Sequence, residues 1–279
     1  MSTNSLQHLH QQLSYLSDTP LMPVLFVGHG TPMNAIEDNE FAKKWIELGQ
    51  ELPQPQAILC VSAHWETRGT YVTAMETPKT IHDFYGFPRE LYMQQYQAPG
   101  FPDLANDIKL NAQNFTIETD YEWGLDHGTW SVLKYFYPKA NIPVLQLSID
   151  YTKDMQYHYD LAQELMYLRR KGVLIIGSGN MIHNLRMLQV KGDDFNAQYG
   201  YDWAIELNNL FREKIELGDH RSLIHYKSLS KWTQLAMPTL DHYIPMIYAL
   251  ALQTKGEKAD LFNDKIVAGA LSMTSIIIH

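Results

Sequence analysis

The chain is poor in cysteine, in basic residues and in long apolar runs. Cys60 is the single cysteine among 279 residues. It cannot close an internal disulfide, it excludes a paired-cysteine zinc site, and it suits a reducing compartment. Lying inside an apolar run, it reads as a small core hydrophobe and not as a nucleophile. Lys and Arg number 22 against 31 Asp and Glu, for a formal net charge of −9. A nucleic-acid surface needs clustered basic side chains, so no nucleic-acid partner is expected. No stretch approaches the roughly 18 apolar residues of a membrane span. The opening MSTNSLQHLHQQLSYLSDTP lacks the basic start and apolar core of a signal peptide. A soluble, cytoplasmic protein without membrane contact is expected. Familiar catalytic motifs are missing too. There is no G-x-S-x-G elbow, although GSG stands at 177–179, no P-loop, no G-x-G-x-x-G and no H-E-x-x-H.

What is present is a folded composition, 45% hydrophobic and 19% charged, with apolar runs that alternate with helical patterns. PVLFVG (23–28), AILCVSA (57–63), IPVLQLSI (142–149) and GVLIIGSG (172–179) are continuous and rich in Val, Ile and Leu, as strands buried on both faces are. TYVTAM (70–75) alternates and suits an antiparallel member, and 265–278 predicts one or two further strands. Helices are expected at 38–50, 101–112, 129–137, 153–170, 200–216 and 241–253. This order predicts an α/β fold, a single-domain three-layer sandwich with a central, mostly parallel, mixed sheet flanked by helices. The expected organisation is an N-terminal arm, residues 1–21, loosely attached and carrying Leu6, Leu9, Leu13 and Leu16 at helical spacing, followed by one domain, residues 22–279. Residues 76–100 are rich in Pro, Gly and aromatics with weak periodicity, and a loop of that length in a compact domain predicts a lid.

Of twelve histidines, His8, His10 and His279 lie in the termini, and His158, His220 and His225 are expected on the surface. Six stand where chain geometry changes. His29 and His64 end apolar runs, in FVGHGTP and SAHW. His82 lies in the loop, His127 before a helix in LDHGTW, His183 beyond a strand in GSGNMIHNL, and His242 at a helix start in TLDHYIPM. Open α/β sheets bind ligands beyond the carboxyl ends of their strands, and His29, His64 and His183 would collect there. A lone histidine in such a place is more often structural. Three at corresponding ends point to a metal site for Zn, Fe or Cu, or to acid/base chemistry near pH 7.

Taken together, FVGHGTPMNAIEDN, SAHWETRGTYVTAMETPKTIHDFYGFP, WGLDHGTWSVL, IPVLQLSID, GSGNMIHNLR and PTLDHYIPMIYAL resemble the class III extradiol ring-cleaving dioxygenases, in the branch of the 4,5-DOPA dioxygenases. The resemblance runs from about residue 22 onward. It implies that His29, His64 and His242 are metal ligands. It places His183 beside the metal as acid/base and as a fourth ligand, and makes His127 a second proton-handling histidine. His82, Tyr85 and Trp65 are expected in the substrate pocket, although core packing is the commoner fate of an aromatic side chain. The implied reaction is ring cleavage of a DOPA-like or related catechol with O2, in a monomer or small homo-oligomer. Fe(II) is the expected metal for turnover. Zn(II) also suits a three-histidine site with an open position and precedes Fe(II) in affinity. Asp241 adjoins His242, but side chains of helical neighbours diverge by about 100°, so it is not expected to share the metal. Two rival readings are a zinc-dependent hydrolase on the same histidines and a catalytically inactive metal-binding interaction protein of the same fold. Oxygen consumption dependent on Fe(II) separates the first, and intact His127 and His183 argue against the second.

Overall fold

The computed structural model describes residues 16–279. The apolar runs form the middle of an eight-stranded sheet. Its strands are β1 (Val24–Gly28), β2 (Ala57–Thr67), β3 (Thr70–Thr73), β4 (Ile117–Asp120), β5 (Val144–Asp150), β6 (Val173–Gly179), β7 (Ala259–Phe262) and β10 (Ser275–Ile278). β8 (Ile266–Val267) and β9 (Leu271–Ser272) pair separately. The order across the main sheet is β4-β3-β5-β2-β6-β1-β10-β7. The centre, β5-β2-β6-β1, is parallel, whereas β3 runs antiparallel to β5 and β10 antiparallel to both β1 and β7. TYVT therefore is the antiparallel member that its alternation predicted, and it pairs in parallel with β4 on its other side.

Successive residues of the central strands enter two different cores. Val24, Phe26, Leu59 and Val61 face one, while Leu25, Val27, Ile58 and Cys60 face the other. Burial on both faces explains the unbroken apolar runs. The first core is closed by helices Pro102–Asn111, Met155–Glu164, Asp202–Glu216 and Ile244–Ala251. Glu40–Glu51 and His127–Phe136 cover the second. These are the three layers.

The departures from sequence expectation are local. The helix expected over 153–170 divides into Met155–Glu164 and Tyr167–Arg170, because its first segment closes with i to i−3 bonds at Leu165 and Met166. The edge strands β4 and β7 carry no sequence signal, because IETD and ADLF are only four residues long and neither forms a continuous apolar run. β2 continues past Ala63 to Thr67, but its register against β5 jumps between Val61 and Glu66. The leucine stripe of the arm, apart from Leu16, lies outside the described residues. Leu16 itself is buried, and Thr19 donates its N–H to the Arg170 carbonyl at 2.9 Å.

Candidate metal centre and active site

Three adjacent parallel strands, β1, β6 and β2, deliver the site. His29 follows β1, and its N–H bonds the Gly179 carbonyl at the end of β6 at 3.1 Å. Gly30 has φ +68°, a turn that takes the chain out of the sheet at once. His64 does not end a strand as expected. It lies in the register jump of β2, and such an irregularity re-aims a side chain without ending the strand. His242 arrives from the opposite direction, in the turn before helix Ile244–Ala251. There the His242 carbonyl accepts the Asn180 N–H at 2.9 Å. A Cβ on Gly179 would meet that carbonyl oxygen at 2.2 Å, so only glycine lets this turn lie against β6. His127 is the first residue of helix His127–Phe136, whose Asp126 cap accepts from Thr129 N–H at 3.1 Å.

The hydrogen-bond network assigns the tautomers. Ser178 Oγ donates to the Gly128 carbonyl at 2.5 Å. It must therefore accept from His29 Nδ1–H at 3.0 Å, which leaves a lone pair on His29 Nε2. Asp83 Oδ2 accepts from His127 Nδ1 at 2.9 Å and lies 3.3 Å from His64 Nδ1, an ion-pair distance. Its other oxygen takes the His127 backbone N–H at 2.9 Å. The Asp241 carboxylate accepts from His242 Nδ1. The His29, His127 and His242 rings thus spend their Nδ1 protons on acceptors and present a bare Nε2, the arrangement that carboxylate and hydroxyl partners impose on metal-ligating histidines.

His29 Nε2 and His64 Nε2 face each other at 3.1 Å, close enough for both nitrogens to serve one cation. One donor atom each of His29, His64 and His242 lies within 4.8 Å of the others. The three residues fit a metal. Burial, first, and then the neighbouring imidazoles hold the pKa values of His29 and His64 well below the usual histidine range. Both stay neutral, as ligation requires. At Asp83 burial raises the pKa, but hydrogen bonds and charge from His127 outweigh it and the carboxyl stays below its ordinary value.

His183 stacks on His242 with ring centroids 3.5 Å apart and planes 7° from parallel. Its donor atom groups with Asp241 and His242, not with His29 and His64. Burial, then His242, lowers its pKa. Asp241 precedes the helix instead of lying on it, so the divergence expected of helical neighbours does not apply, and it turns back onto the His242 ring. The histidines open into a cavity of about 510 Å³ whose other walls include Met33, Phe84, Phe87, Leu188 and Phe195.

The expected pocket residues are placed differently. Phe84 and Phe87 from the loop 76–100 line the cavity, but Tyr85 between them is 91% exposed, since Phe84 takes the inward direction. His82 lies behind the wall, bonded to the Gln94 carbonyl at 2.9 Å and packed on Trp130. Trp65 is buried in a stack on Trp123, with planes 4° apart. None of the three is in the lining. The surface assignment also fails for His158, which is 0% exposed, and for half-buried His220; His225 is exposed. Sequence reasoning missed Asp83, Ser178 and Glu37. Asp83 adjoins His82 in a segment already marked as unusual, and Ser178 lies in the conspicuous GSG, whereas Glu37 carries no local signal.

The sequence profile of the catalytic LigB subunit of aromatic ring-opening dioxygenases matches residues 15–267. The chain is 43% identical over 259 residues to a 4,5-DOPA dioxygenase extradiol of Escherichia coli, covering 91% of this chain and 94% of that one. It is 36% identical over 265 residues to a protein of the same name from Beta vulgaris, covering 93% and 97%. A crystal structure of an uncharacterised Escherichia coli protein superimposes with a TM-score of 0.80 at 39% identity, over 92% of this chain and 100% of that one. The chain belongs to this family, that of the extradiol ring-opening dioxygenases, whose members are metal-dependent.

Proposed function

We propose that this family member opens the ring of a small catechol with O2 in the histidine-lined cavity. In this reading His29, His64 and His242 hold the metal, Fe(II) for turnover, and His127 and His183 move protons. The observation that carries it is the convergence of one donor nitrogen each from His29, His64 and His242 within 4.8 Å, with His29 and His242 held at Nδ1 by Ser178 and Asp241. The relatives from Escherichia coli and Beta vulgaris are 4,5-DOPA dioxygenases by name, which supports a catechol with a carbon substituent on the ring.

A redox-active metal held there supplies a path for electrons between catechol and dioxygen. The chain's own residues supply the rest. Phe84 and Phe87 hold the aromatic ring and keep bulk water from the site. His127, its Nδ1 bonded to Asp83, has Nε2 free to take a catechol hydroxyl proton, and the Asp83 carboxylate stabilises the imidazolium that results. A positioned acid/base of this kind contributes about 10²–10⁴ in rate. His183 stays neutral because it is buried and offers a second acceptor on the opposite side of His242. The test is oxygen uptake by protein loaded anaerobically with Fe(II). One O2 consumed per catechol, with a ring-opened product, is expected. Zinc-loaded protein that hydrolyses substrate with no oxygen uptake in either form would overturn the proposal.

A further inference from the structure

The cavity walls carry an uneven charge. Among the described residues no lysine or arginine lines it. Its two carboxylates are Asp83 and Glu37. Asp83 is committed to His64 and His127. Glu37 makes no salt bridge with any described residue. One of its oxygens accepts from Asn196 Nδ2 at 3.1 Å. The same Asn196 amide donates to Asn34 Oδ1 at 3.0 Å, and Asn34 donates to the His29 carbonyl at 3.0 Å. Glu37 is thus held at a fixed position relative to the metal-site histidines, with Phe195, next to Asn196, on the same wall.

Resting on the ring-opening reading above, we propose that the cavity selects catechols bearing an ammonium group on their ring substituent, with Glu37 as the residue that receives it. Catechols with a neutral substituent rank next, and those whose substituent carries only a carboxylate rank last. A carboxylate on the ring substituent would lose water, find no basic side chain on the walls, and meet Glu37, a like-charge arrangement that disfavours binding. An ammonium finds a fixed carboxylate acceptor and gives up its hydration in exchange for a charge-assisted hydrogen bond. Partial burial, with Asp194 next, raises the pKa of Glu37; an approaching cation reverses that pressure and favours its charged form.

The test is calorimetric binding to the metal-loaded protein without oxygen, then admission of oxygen. The probes are 4-(2-aminoethyl)catechol, 4-ethylcatechol and 3-(3,4-dihydroxyphenyl)propanoate. The amine is expected to bind at least about tenfold more tightly than the carboxylate, the factor that one charged hydrogen bond supplies. Glu37→Gln keeps an oxygen for Asn196 and removes only the charge. It should lower the ratio of amine to ethyl affinity about tenfold. A carboxylate that binds wild type as tightly as the amine overturns the proposal, as does a ratio unchanged in Glu37→Gln. The wild-type ranking needs no variant, so a misfolded Glu37→Gln would not shelter the idea. If the ranking holds and admitted oxygen is not consumed, the selectivity stands and the ring-opening reading falls. Oxygen consumed without the ranking has the opposite meaning.

Discussion

The chain buries histidines in two regions and uses their nitrogens differently. On the helical layer over the first core, His220 bonds Tyr159 Oη through Nδ1 at 3.1 Å and Gln253 through Nε2 at 2.9 Å. His158 bonds Tyr248 through Nδ1 at 3.1 Å and packs against Tyr157. These rings are apart from other imidazoles and serve as packing with a polar handle. At the carboxyl ends of β1, β6 and β2 the Nδ1 atoms of His29, His127 and His242 are also hydrogen-bonded, but the His29 and His64 Nε2 atoms turn toward one another, whereas His158 Nε2 faces no imidazole and has no hydrogen-bond partner. Burial is similar in both regions, His29 being 2% exposed and His158 0%. It is the direction of the second nitrogen that separates a ligand set from a core histidine.

The largest effect should come from removing a converging nitrogen. His29→Ala or His242→Ala should drop bound metal from about one per chain to background, a loss larger than the about 10–100-fold typical of second-sphere changes, measured by elemental analysis after gel filtration. His220→Ala should leave metal content alone. Equal metal loss in His220→Ala would break the comparison.

Next come the groups that hold Nδ1 or carry protons. His127→Ala and His183→Ala should retain metal and lose about 10²–10⁴ in kcat. If His183→Ala instead empties the site, His183 is a ligand, and the His183–His242 stack is part of the coordination sphere. Asp83→Asn should cost about 10–100-fold in metal affinity or activity, because the amide can offer its NH2 where His64 and His127 need an acceptor. Full activity in that variant would show that ring orientation does not depend on Asp83.

The core histidine should instead report in stability. Burial lowers the His158 pKa from 6.5 to about 4. Between those values the unfolded chain binds a proton that the folded chain refuses, so stability is lost as pH falls from 6.5 toward 4. Between pH 7 and pH 5 this group should cost about 2 kcal/mol. His158→Gln should remove that slope while costing about 1 kcal/mol at pH 7 for the bond to Tyr248. Urea unfolding at the two pH values measures both, and an unchanged slope would mean that His158 charges without penalty.

The smallest effects belong to the loop. Tyr85→Ala should change kcat/KM among substituted catechols by less than about twofold, as exposed sites away from special contacts usually do. Phe84→Ala should raise KM and cost stability, because its ring lines the cavity and also packs on His127 with centroids 5.6 Å apart. A strong substrate shift in Tyr85→Ala would mean that the loop closes further on binding than it does here.

How legible the site was depended on the kind of signal. His29, His64, His127, His183 and His242 stood in the sequence at changes of chain geometry, and the structure brings them around one cavity. Asp83 was hidden because a carboxylate in a loop of 25 residues has no periodicity to mark it. Phe84 and Tyr85 were indistinguishable as neighbours in DFYGF, since which of two adjacent aromatics turns inward depends on what the loop packs against. His158 was misplaced because one histidine among polar helical residues resembles a solvated one until its face is known.

The sequence by itself determined the layers and the family. Continuous Val, Ile and Leu runs can be satisfied only between two covered faces, and the order of strand and helix patterns follows from the length each needs. Tertiary structure alone decided which nitrogens meet. The turn carrying His242 reaches β6 only because Gly179 leaves room for its carbonyl. His64 is aimed by a register jump that pairing with β5 creates. Glu37 joins the cavity through an asparagine 159 residues away. Such placements depend on contacts between distant segments, and no local pattern in the chain encodes them.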